Sequence, residues 1–91
     1  MPLTRGQSLG YDNERMAFKF TMLNGDDAVE CQISGAAMDD VAGCKGTLPA
    51  DREAQFLRLR ERIEHIASTI FDEKTVFKGL VLRIFSKNIR K

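Results

Sequence analysis

The stretch RMAFKFTMLNGDDAVECQIS, residues 15–34, decides the fold of this chain. In its first half, large apolar residues alternate with smaller or polar ones, namely Met16, Phe18, Phe20 and Met22. A period of two is typical of a β-strand with one buried face, because successive side chains point to opposite faces of a sheet. The pattern therefore predicts a strand over residues 15–23.

Asn24-Gly25 follows this strand and is the strongest short-range signal for a β-hairpin, because both residues tolerate positive φ. The next run, AVECQIS over residues 28–34, alternates in the same way. With Asn24 and Gly25 as the turn, the apolar residues face each other in these pairs: Phe20 with Val29, Phe18 with Cys31, and Met16 with Ile33. On the other face, Lys19 lies opposite Glu30 as a favourable cross-strand pair. Turn, hydrophobic face and charge pairing together predict a hairpin.

A short helix is predicted directly after the hairpin. Ser34 stands at the position of a helix N-cap, residues 35–42 have helical spacing, and Gly43 is a stop signal. A loop then leads to a long amphipathic helix that begins at Pro49 or Asp51. Its apolar residues recur at intervals of three and four: Phe56, Leu59, Ile63, Ile66 and Ile70.

A last strand is predicted for VFKGLVLRIF, residues 76–85. The order strand, strand, short helix, long helix, strand predicts an α+β fold in two layers. The long helix would return the chain to the first strand, which gives an antiparallel sheet of order 2-1-3 with one face covered by the helices. Residues 1–91 are predicted to form a single domain, with 1–10 and 86–91 flexible.

The composition indicates an ordinary globular protein. The chain has 91 residues, of which 43% are hydrophobic and 30% charged. No apolar run approaches the roughly 18 residues that span a bilayer, and the N-terminal residues lack the hydrophobic stretch of a secretory signal. The two cysteines are predicted to be free thiols rather than a disulfide. These features predict a cytoplasmic protein that does not span a membrane.

A spaced pattern links this chain to a known family. It starts at Tyr11-Asp12, continues through AFKF and VECQISGAAM, and ends in FLRLRERIEHIA. In that last segment the residues at the family's spacing are Phe56, Arg60, Ile63 and Ala67. In these positions the chain resembles domain-of-unknown-function family 1488, a group of small bacterial proteins, from about Tyr11 to Ile84. The resemblance implies a small bacterial α+β domain with no established activity and no accepted catalytic residues.

Charged residues are unevenly distributed along the chain. Residues 24–44 contain acids and no base, namely Asp26, Asp27, Glu30, Asp39 and Asp40. Residues 74–91 contain bases and no acid. The predicted basic partner surface in this second segment consists of Lys78, Arg83, Lys87, Arg90 and Lys91. Such asymmetry is typical of a partner surface, and a homodimer could join the acidic segment of one chain to the basic segment of the other. A solvated strand edge is the structural alternative.

Residue types associated with catalysis or metal binding have ordinary structural interpretations here. Cys31 shares the apolar face of its strand, and Cys44 lies in a glycine-flanked loop. His65 lies on the polar face of the long helix, away from both cysteines, so the ligands of a zinc site are missing. Ser34 is explained as a helix cap. The sequence therefore predicts no catalytic residues, no metal site and no cofactor.

Arg60 is the most informative single residue, because it falls within the apolar arc of the long helix. A guanidinium in that position must find an acceptor, since an unpaired buried charge is costly. The structural interpretation is an ion pair or hydrogen bond with Asp12, Glu14 or a carbonyl near Tyr11, which would hold the N-terminal segment against the helix. The functional alternative is an anion-binding arginine in a groove.

The sequence favours a non-catalytic binding or interaction module that acts through protein–protein contacts, with another protein or a second copy of the chain. Its basis is the charge asymmetry and a long amphipathic helix that outruns the strands. The alternative is a nucleic-acid-associated or transcription-regulatory protein using the basic C-terminal strand and tail, where Phe77 and Phe85 are interleaved with bases. An enzyme with a small pocket near Arg60 is a third hypothesis.

Overall fold

The computed structural model describes residues 3–73 and 81–86 of the chain. These residues form an α+β fold with a four-stranded mixed sheet and two α-helices. The strands are β1 (Thr4–Asp12), β2 (Ala17–Asn24), β3 (Asp27–Ser34) and β4 (Leu82–Ile84). The helices are α1 (Gly35–Ala42) and α2 (Arg52–Glu73), and a 3₁₀ turn over Pro49–Asp51 leads into α2.

The sheet order is β1-β2-β3-β4, so the predicted order 2-1-3 is wrong. The first three strands are antiparallel neighbours, whereas β4 is parallel to β3 and pairs with it. The physical reason is that β1 occupies the edge of β2 to which the sequence pattern assigns the last strand. The chain therefore returns from the helices to the free edge of β3, which completes a β-α-β crossover and makes the sheet mixed.

Strand β1 includes part of residues 1–10, the segment that the sequence predicts to be flexible. Within β1, this segment pairs with β2. The strand is inconspicuous in the sequence because its pairing is irregular, with two register shifts between Arg5 and Gly10. Gly6 has a steric role here, because a Cβ at this position would collide with the carbonyl oxygen of Thr21 on β2.

The β2–β3 hairpin forms as predicted, but its turn residues are Gly25 and Asp26. Gly25 has a φ of 63°, and it occupies the first central position, where a type II′ turn favours glycine. The facing apolar pairs are therefore Phe18 with Ile33, Phe20 with Cys31, and Met22 with Val29. Because the shift is an even number of residues, each strand keeps its predicted buried face. The predicted Lys19–Glu30 pair is wrong, and Lys19 lies opposite Gln32.

Met16 was assigned to the buried face by its spacing, and this prediction is wrong. The side chain is 66% exposed and the backbone φ is 52°. Met16 belongs to the turn before β2, where Asp12 Oδ1 accepts the backbone N–H groups of Glu14 and Arg15 at 3.0 and 3.2 Å. A left-handed backbone costs a residue other than glycine about 1–2 kcal/mol, which the surrounding turn and sheet must offset.

Both helices pack on one face of the sheet, and Phe56 of α2 lies at the centre of this core. Its ring stacks on Phe18 with centroids 4.3 Å apart and lies tilted against Phe20 at 5.1 Å. Among the described residues, no helix covers the other face, which we call the open face. Residues whose side chains belong to the open face include Lys19, Thr21, Glu30, Gln32 and Arg83.

The predicted short helix is confirmed with its bounds. Ser34 Oγ accepts the backbone N–H of Ala37 at 3.1 Å, and Gly43 ends the helix with a φ of 74°. The predicted long helix and last strand also form, with narrower bounds for the strand within the described residues. Residues 76–80 of that predicted strand, and the tail from 87 to 91, lie outside the described residues.

Candidate functional site

A group of polar side chains, three of them buried and one half-buried, joins α1, the following loop and α2. We call it the Asp39 cluster; its members are Asp39, Thr47, Arg52 and Gln55. The Oδ1 atom of Asp39 accepts hydrogen bonds from Thr47 Oγ1 at 2.7 Å, Arg52 Nη1 at 2.8 Å and Gln55 Nε2 at 2.9 Å. Both charged side chains are buried, and the three hydrogen bonds to Asp39 Oδ1 offset the cost of removing its charge from water.

Arg52 connects the cluster to the rest of the fold. Its Nη1 also donates to Gln55 Oε1 at 2.7 Å and to the carbonyl oxygen of Gly35, the first residue of α1, at 3.2 Å. The guanidinium lies over the ring of Tyr11 on β1, 5.5 Å from the ring centroid, as a cation–π contact. A Cβ on Gly35 would approach Arg52 Nη2 to 2.7 Å, so glycine permits this close packing. Arg52 therefore holds the start of α1 against β1 and α2.

The environment of Asp39 strongly favours its ionised form. Burial alone raises the pKa of this carboxyl group, but hydrogen bonds from Gln55, Thr47 and Arg52, together with the charge of Arg52, outweigh burial. The pKa consequently falls from 3.8 to about 2. The folded state thus binds a proton at Asp39 less readily than the unfolded state does, and this difference stabilises the fold above the unfolded-state pKa.

The free energy of unfolding is therefore expected to decrease as the pH is lowered from 3.8 to about 2. The contribution of Asp39 is fully present above its unfolded pKa of 3.8 and is lost as the pH falls through the folded value of about 2. Urea unfolding of the wild type and of Asp39→Asn at several pH values measures this directly. At neutral pH, Asp39→Asn should have a lower free energy of unfolding than the wild type. Between pH 3.8 and about 2, its free energy of unfolding should decrease less than that of the wild type. Parallel pH curves for the two proteins would contradict the assignment.

Cys44 lies at the exposed side of the Asp39 cluster. Its Sγ is 3.9 Å from Asp39 Oδ1, 3.8 Å from Gln55 Nε2 and 3.6 Å from Thr47 Oγ1. These are weak hydrogen-bond contacts of a thiol to neutral groups and one carboxylate. None of these three contacts is with a cationic group. They pack the sulfur atom and do not activate it.

The two free cysteines are expected to differ sharply in reactivity. Burial raises the pKa of Cys31 to about 12, and its side chain is 1% exposed, whereas Cys44 is exposed. A thiol-specific chromogenic reagent should therefore modify Cys44 in the native protein and Cys31 only after unfolding. Cys44→Ser should abolish the native reaction. Native modification of that variant at the same rate would show that Cys31 is accessible.

Two nitrogen atoms of Arg60 donate hydrogen bonds within the chain. Its Nη2 donates to the carbonyl oxygen of Gly6 at 3.1 Å and its Nε to Glu64 Oε2 at 3.1 Å. Arg5 of β1 shares the same carboxylate through Nε and Nη2. Arg60 thus joins α2 to the N-terminal strand, through Gly6 rather than through Asp12, Glu14 or a carbonyl near Tyr11. The guanidinium also lies 5.7 Å from the ring centroid of Phe56.

Of the predicted basic partner surface, only Arg83 belongs to the described residues. The other members, which lie outside them, are Lys78, Lys87, Arg90 and Lys91. Arg83 is exposed on β4 and lies opposite Gln32 of β3 on the open face. Lys19 lies on the far side of Gln32, because β3 separates β2 from β4.

A cleft opens on the open face where β2, β3 and β4 meet the turn before β2. We call it the Arg83 cleft; the residues used below are Arg15, Ala17, Gln32, Ser34, Arg83 and Phe85. Its volume is about 270 Å³. Ala17 has only a methyl side chain and is 7% exposed, which creates the depression, while Phe85 is 45% exposed at its wall.

The cleft is electropositive. None of its lining residues carries a carboxylate. Asp12 forms an ion pair with Arg15. Its Oδ2 lies 3.8 Å from Arg15 Nε and 3.4 Å from Lys19 Nζ. Arg83 forms no ion pair with any residue in the part of the chain that the structure describes.

The other sequence candidates do not converge on one site. His65 is exposed on α2, and Ser34 Oγ is occupied as the helix cap. Asp39 belongs to the buried cluster. Within residues 3–73 and 81–86, no group of three or more histidine, cysteine or acidic side chains is arranged to hold a metal ion.

Sequence reasoning missed the roles of Arg52 and Gln55. Both lie on the buried side of α2, at positions three or four residues from Phe56 or from each other. Extending the apolar arc backwards from Phe56 by one turn reaches Arg52, so the same argument that singled out Arg60 could have found it. The partner Asp39 could not be found in this way, because it lies on another helix.

Comparison with known proteins places the chain in a family. The family model of DUF1488, described as a protein of unknown function, matches residues 6–79. The chain belongs to the DUF1488 family. The resemblance drawn from the sequence is thereby confirmed, and the DUF1488 match begins at Gly6, within β1. DUF1488 membership establishes a domain of unknown function and assigns no functional residue.

A solved structure from the DUF1488 family has the same fold. It is the crystal structure, at 1.60 Å resolution, of a protein of unknown function from Shewanella loihica PV-4. The TM-score is 0.75, the sequence identity 17%, and the similarity covers 90% of each chain. At this identity the likeness shows the fold alone. No curated protein matches the chain. Neither α-helix among the described residues is long and apolar enough to cross a membrane.

Proposed function

We propose that this DUF1488 protein is a non-catalytic binding module that contacts another protein through the open face of its sheet. One observation carries the proposal. In the Arg83 cleft, the Arg83 guanidinium and the Gln32 amide make no hydrogen bond with any described residue, and Phe85 beside them is 45% exposed. A partner could satisfy these polar groups and cover the aromatic ring at the same time.

This combination of side chains is typical of protein-binding surfaces. The cores of protein interfaces are enriched in aromatic residues and arginine, and truncation of these residues often causes the largest losses of affinity. Phe85 supplies apolar area, Arg83 supplies a planar set of donors, and Gln32 supplies both donors and an acceptor. Strands β3 and β4 hold Gln32 and Arg83 on the sheet, and Phe85 follows directly after β4. This placement lowers the entropic cost of binding.

The positions of the nucleophilic side chains favour a non-catalytic role. Covalent catalysis needs a nucleophile with an adjacent base and a group that orients the base. Ser34 Oγ accepts a backbone hydrogen bond as the helix cap, and Cys31 is buried with its pKa raised to about 12. The polar neighbours of the exposed Cys44 belong to the Asp39 cluster, and His65 is not among them.

Site-specific photocrosslinking in the source cells tests the proposal. A benzophenone amino acid at position 32, on the open face, should give a protein adduct of defined mass. The same group at Arg58, an exposed position on the opposite layer, should give none and serves as the control. Adducts from position 58 alone, or from neither position, would contradict binding through the open face.

A second copy of the chain is the other protein partner that the charge pattern suggests. Asp39 is less available for such a homodimer, since its carboxylate is buried in an ion pair with Arg52. The acids that remain exposed on the β2–β3 hairpin are Asp26, Asp27 and Glu30. An adduct of twice the chain mass in the crosslinking experiment would identify self-association, and a heavier or lighter adduct would identify a different protein.

Nucleic acid remains the second candidate partner, and the adjacency of Arg83 and Phe85 on the exposed strand end favours it. Stacking on an aromatic ring beside a cation is the usual way to hold single-stranded nucleic acid. Fluorescence anisotropy with labelled single- and double-stranded DNA tests it. Micromolar binding that weakens steeply with salt and disappears in Arg83→Glu would support this candidate, and no binding at low salt would remove it.

A further inference from the structure

We infer that the Arg83 cleft recognises an acidic segment of a partner protein and seats a carboxylate side chain between Arg83 and Arg15. This inference rests on the proposed function and names the chemistry of the partner. Charge complementarity is its first basis. The two arginines line a cleft that contains no acidic side chain, although the chain as a whole has 13 acidic residues against 14 lysines and arginines.

The acid nearest to the cleft is already engaged. Asp12 Oδ1 accepts the backbone N–H groups of Glu14 and Arg15, and its Oδ2 lies between Arg15 Nε at 3.8 Å and Lys19 Nζ at 3.4 Å. The backbone hydrogen bonds from Arg15 and Glu14, together with Lys19, hold the pKa of the Asp12 carboxyl group below its usual value. Arg83 has no such acid among the described residues, and its charge is available to a partner.

The size of the cleft fits a side chain of a peptide. Small-molecule sites in proteins typically enclose about 300–1,000 Å³. The Arg83 cleft, at about 270 Å³, lies below this range. It is large enough for one or two side chains of a peptide, and the methyl group of Ala17 at its base permits close approach. Phe85 then covers the apolar part of the same segment.

The polar groups fit a carboxylate. A guanidinium presents parallel N–H donors that match the two oxygens of a carboxylate, and such charge-assisted pairs are stronger than neutral hydrogen bonds. The Gln32 amide, opposite Arg83 in the β3–β4 pairing, can donate to the same group or accept from the peptide backbone. Phosphate alone would use the arginines but would cover little of the apolar surface that Phe85, at 45% exposed, presents to solvent.

Selection from a phage library that displays short random peptides tests the inference on the full chain. The selected peptides should be enriched in aspartate and glutamate next to an apolar residue. Fluorescence anisotropy of labelled selected peptides should show binding at least about tenfold weaker for Arg83→Glu, because a charge-assisted pair becomes a repulsion. Arg83→Gln and Arg15→Gln should each cause a smaller loss.

Arg58→Glu is the matched control. Arg58 is an exposed arginine on α2 that lies on the other layer of the fold, so the variant carries the same change in net charge. It should retain wild-type affinity for the selected peptides. Thermal unfolding of all four variants establishes that any loss of binding occurs in folded protein.

The other outcomes of the peptide selection distinguish a failure of the carboxylate inference from a failure of the binding proposal. Selected peptides without acidic enrichment that still depend on the cleft would overturn the carboxylate inference and leave the binding proposal intact. Acidic peptides that bind wild type and Arg83→Glu equally, or that lose affinity equally with Arg58→Glu, would show that net charge or another site binds them. Recovery of no binding peptide would overturn the inference, and the crosslinking experiment then decides the binding proposal independently.

Discussion

Replacing Arg52 with alanine is expected to lower the free energy of unfolding by about 3–5 kcal/mol, because it leaves a buried carboxylate without its cation. Arg52 Nη1 is 2.8 Å from Asp39 Oδ1, and the two side chains are 7% and 12% exposed. The same change removes donors to Gln55 and to the Gly35 carbonyl, together with the contact over Tyr11. Urea unfolding followed by circular dichroism measures the loss.

A matched substitution on the same helix separates this effect from a loss of helix propensity. Arg58→Ala removes an exposed arginine of α2, and such surface changes usually stay within about 0.5 kcal/mol. The double variant Arg52→Met with Asp39→Leu removes both charges, so it should be more stable than Arg52→Ala. Equal stabilities for Arg52→Ala and Arg58→Ala would contradict a structural role for the Asp39 cluster.

Replacing Phe56 with alanine is also expected to lower the free energy of unfolding, by about 3–5 kcal/mol. Phe56 is 0% exposed and touches two other buried rings, Phe18 at 4.3 Å and Phe20 at 5.1 Å between centroids. Alanine would leave a cavity in the layer between α2 and the sheet, and it would remove the aromatic contacts. The same unfolding measurement, with the slope against denaturant checked for two-state behaviour, gives the value.

Leu57 supplies the control for this second prediction. It neighbours Phe56 in the chain, but its side chain is 53% exposed. Leu57→Ala should therefore change stability by no more than about 0.5 kcal/mol, since little apolar surface is returned to water. A large loss for Leu57→Ala, or a small one for Phe56→Ala, would mean that the orientation of α2 on the sheet is different.

Local patterns predicted the elements that are specified by local chemistry. The hairpin followed from alternation and from Gly25, and the short helix followed from Ser34 and Gly43, each of which acts on neighbouring residues. The register of the hairpin differed by two residues, because either of two adjacent residue pairs can form the turn. Met16 was assigned to the buried face because the alternation of apolar residues continues by chance into the turn before β2.

The sheet order could not be predicted because it depends on β1. That strand carries glycine and polar residues, and it is specified by pairing with β2 rather than by its own periodicity. Without β1, the free edge of β2 was the natural place for the last strand. The order 2-1-3 was the consequence of one missed strand, and the α+β class survived the omission.

The contacts of the candidate site residues also depend on parts of the fold that are distant in the sequence. A charged residue within the apolar arc of α2 needs an acceptor, and this argument anticipated a contact between Arg60 and the N-terminal segment. The actual acceptors, Gly6 and Glu64, required knowledge of β1. Asp39 and Arg52 meet only after α1 packs on α2, so no spacing in the sequence could pair them.

The Asp39 cluster and the Arg83 cleft are connected through the start of α1. Arg52 hydrogen bonds to the Gly35 carbonyl, and the Gly35 N–H donates to the Met16 carbonyl oxygen at 2.9 Å. Ser34, the residue before Gly35, lines the cleft. The buried ion pair thus helps to fix the backbone next to the cleft. We assign a stabilising role to the cluster and propose the partner contact only for the cleft.

We expect an acidic peptide to bind the open face at the Arg83 cleft, and an NMR titration would locate this binding residue by residue. The full chain labelled with ¹⁵N would be titrated with a selected acidic peptide. Amide shift changes should be concentrated at Arg15, Gln32, Ser34 and Arg83, and the amide shifts on the exposed face of α2 should stay unchanged. Shift changes concentrated around Leu57 and Arg58 on α2, with none at the cleft, would contradict this expectation.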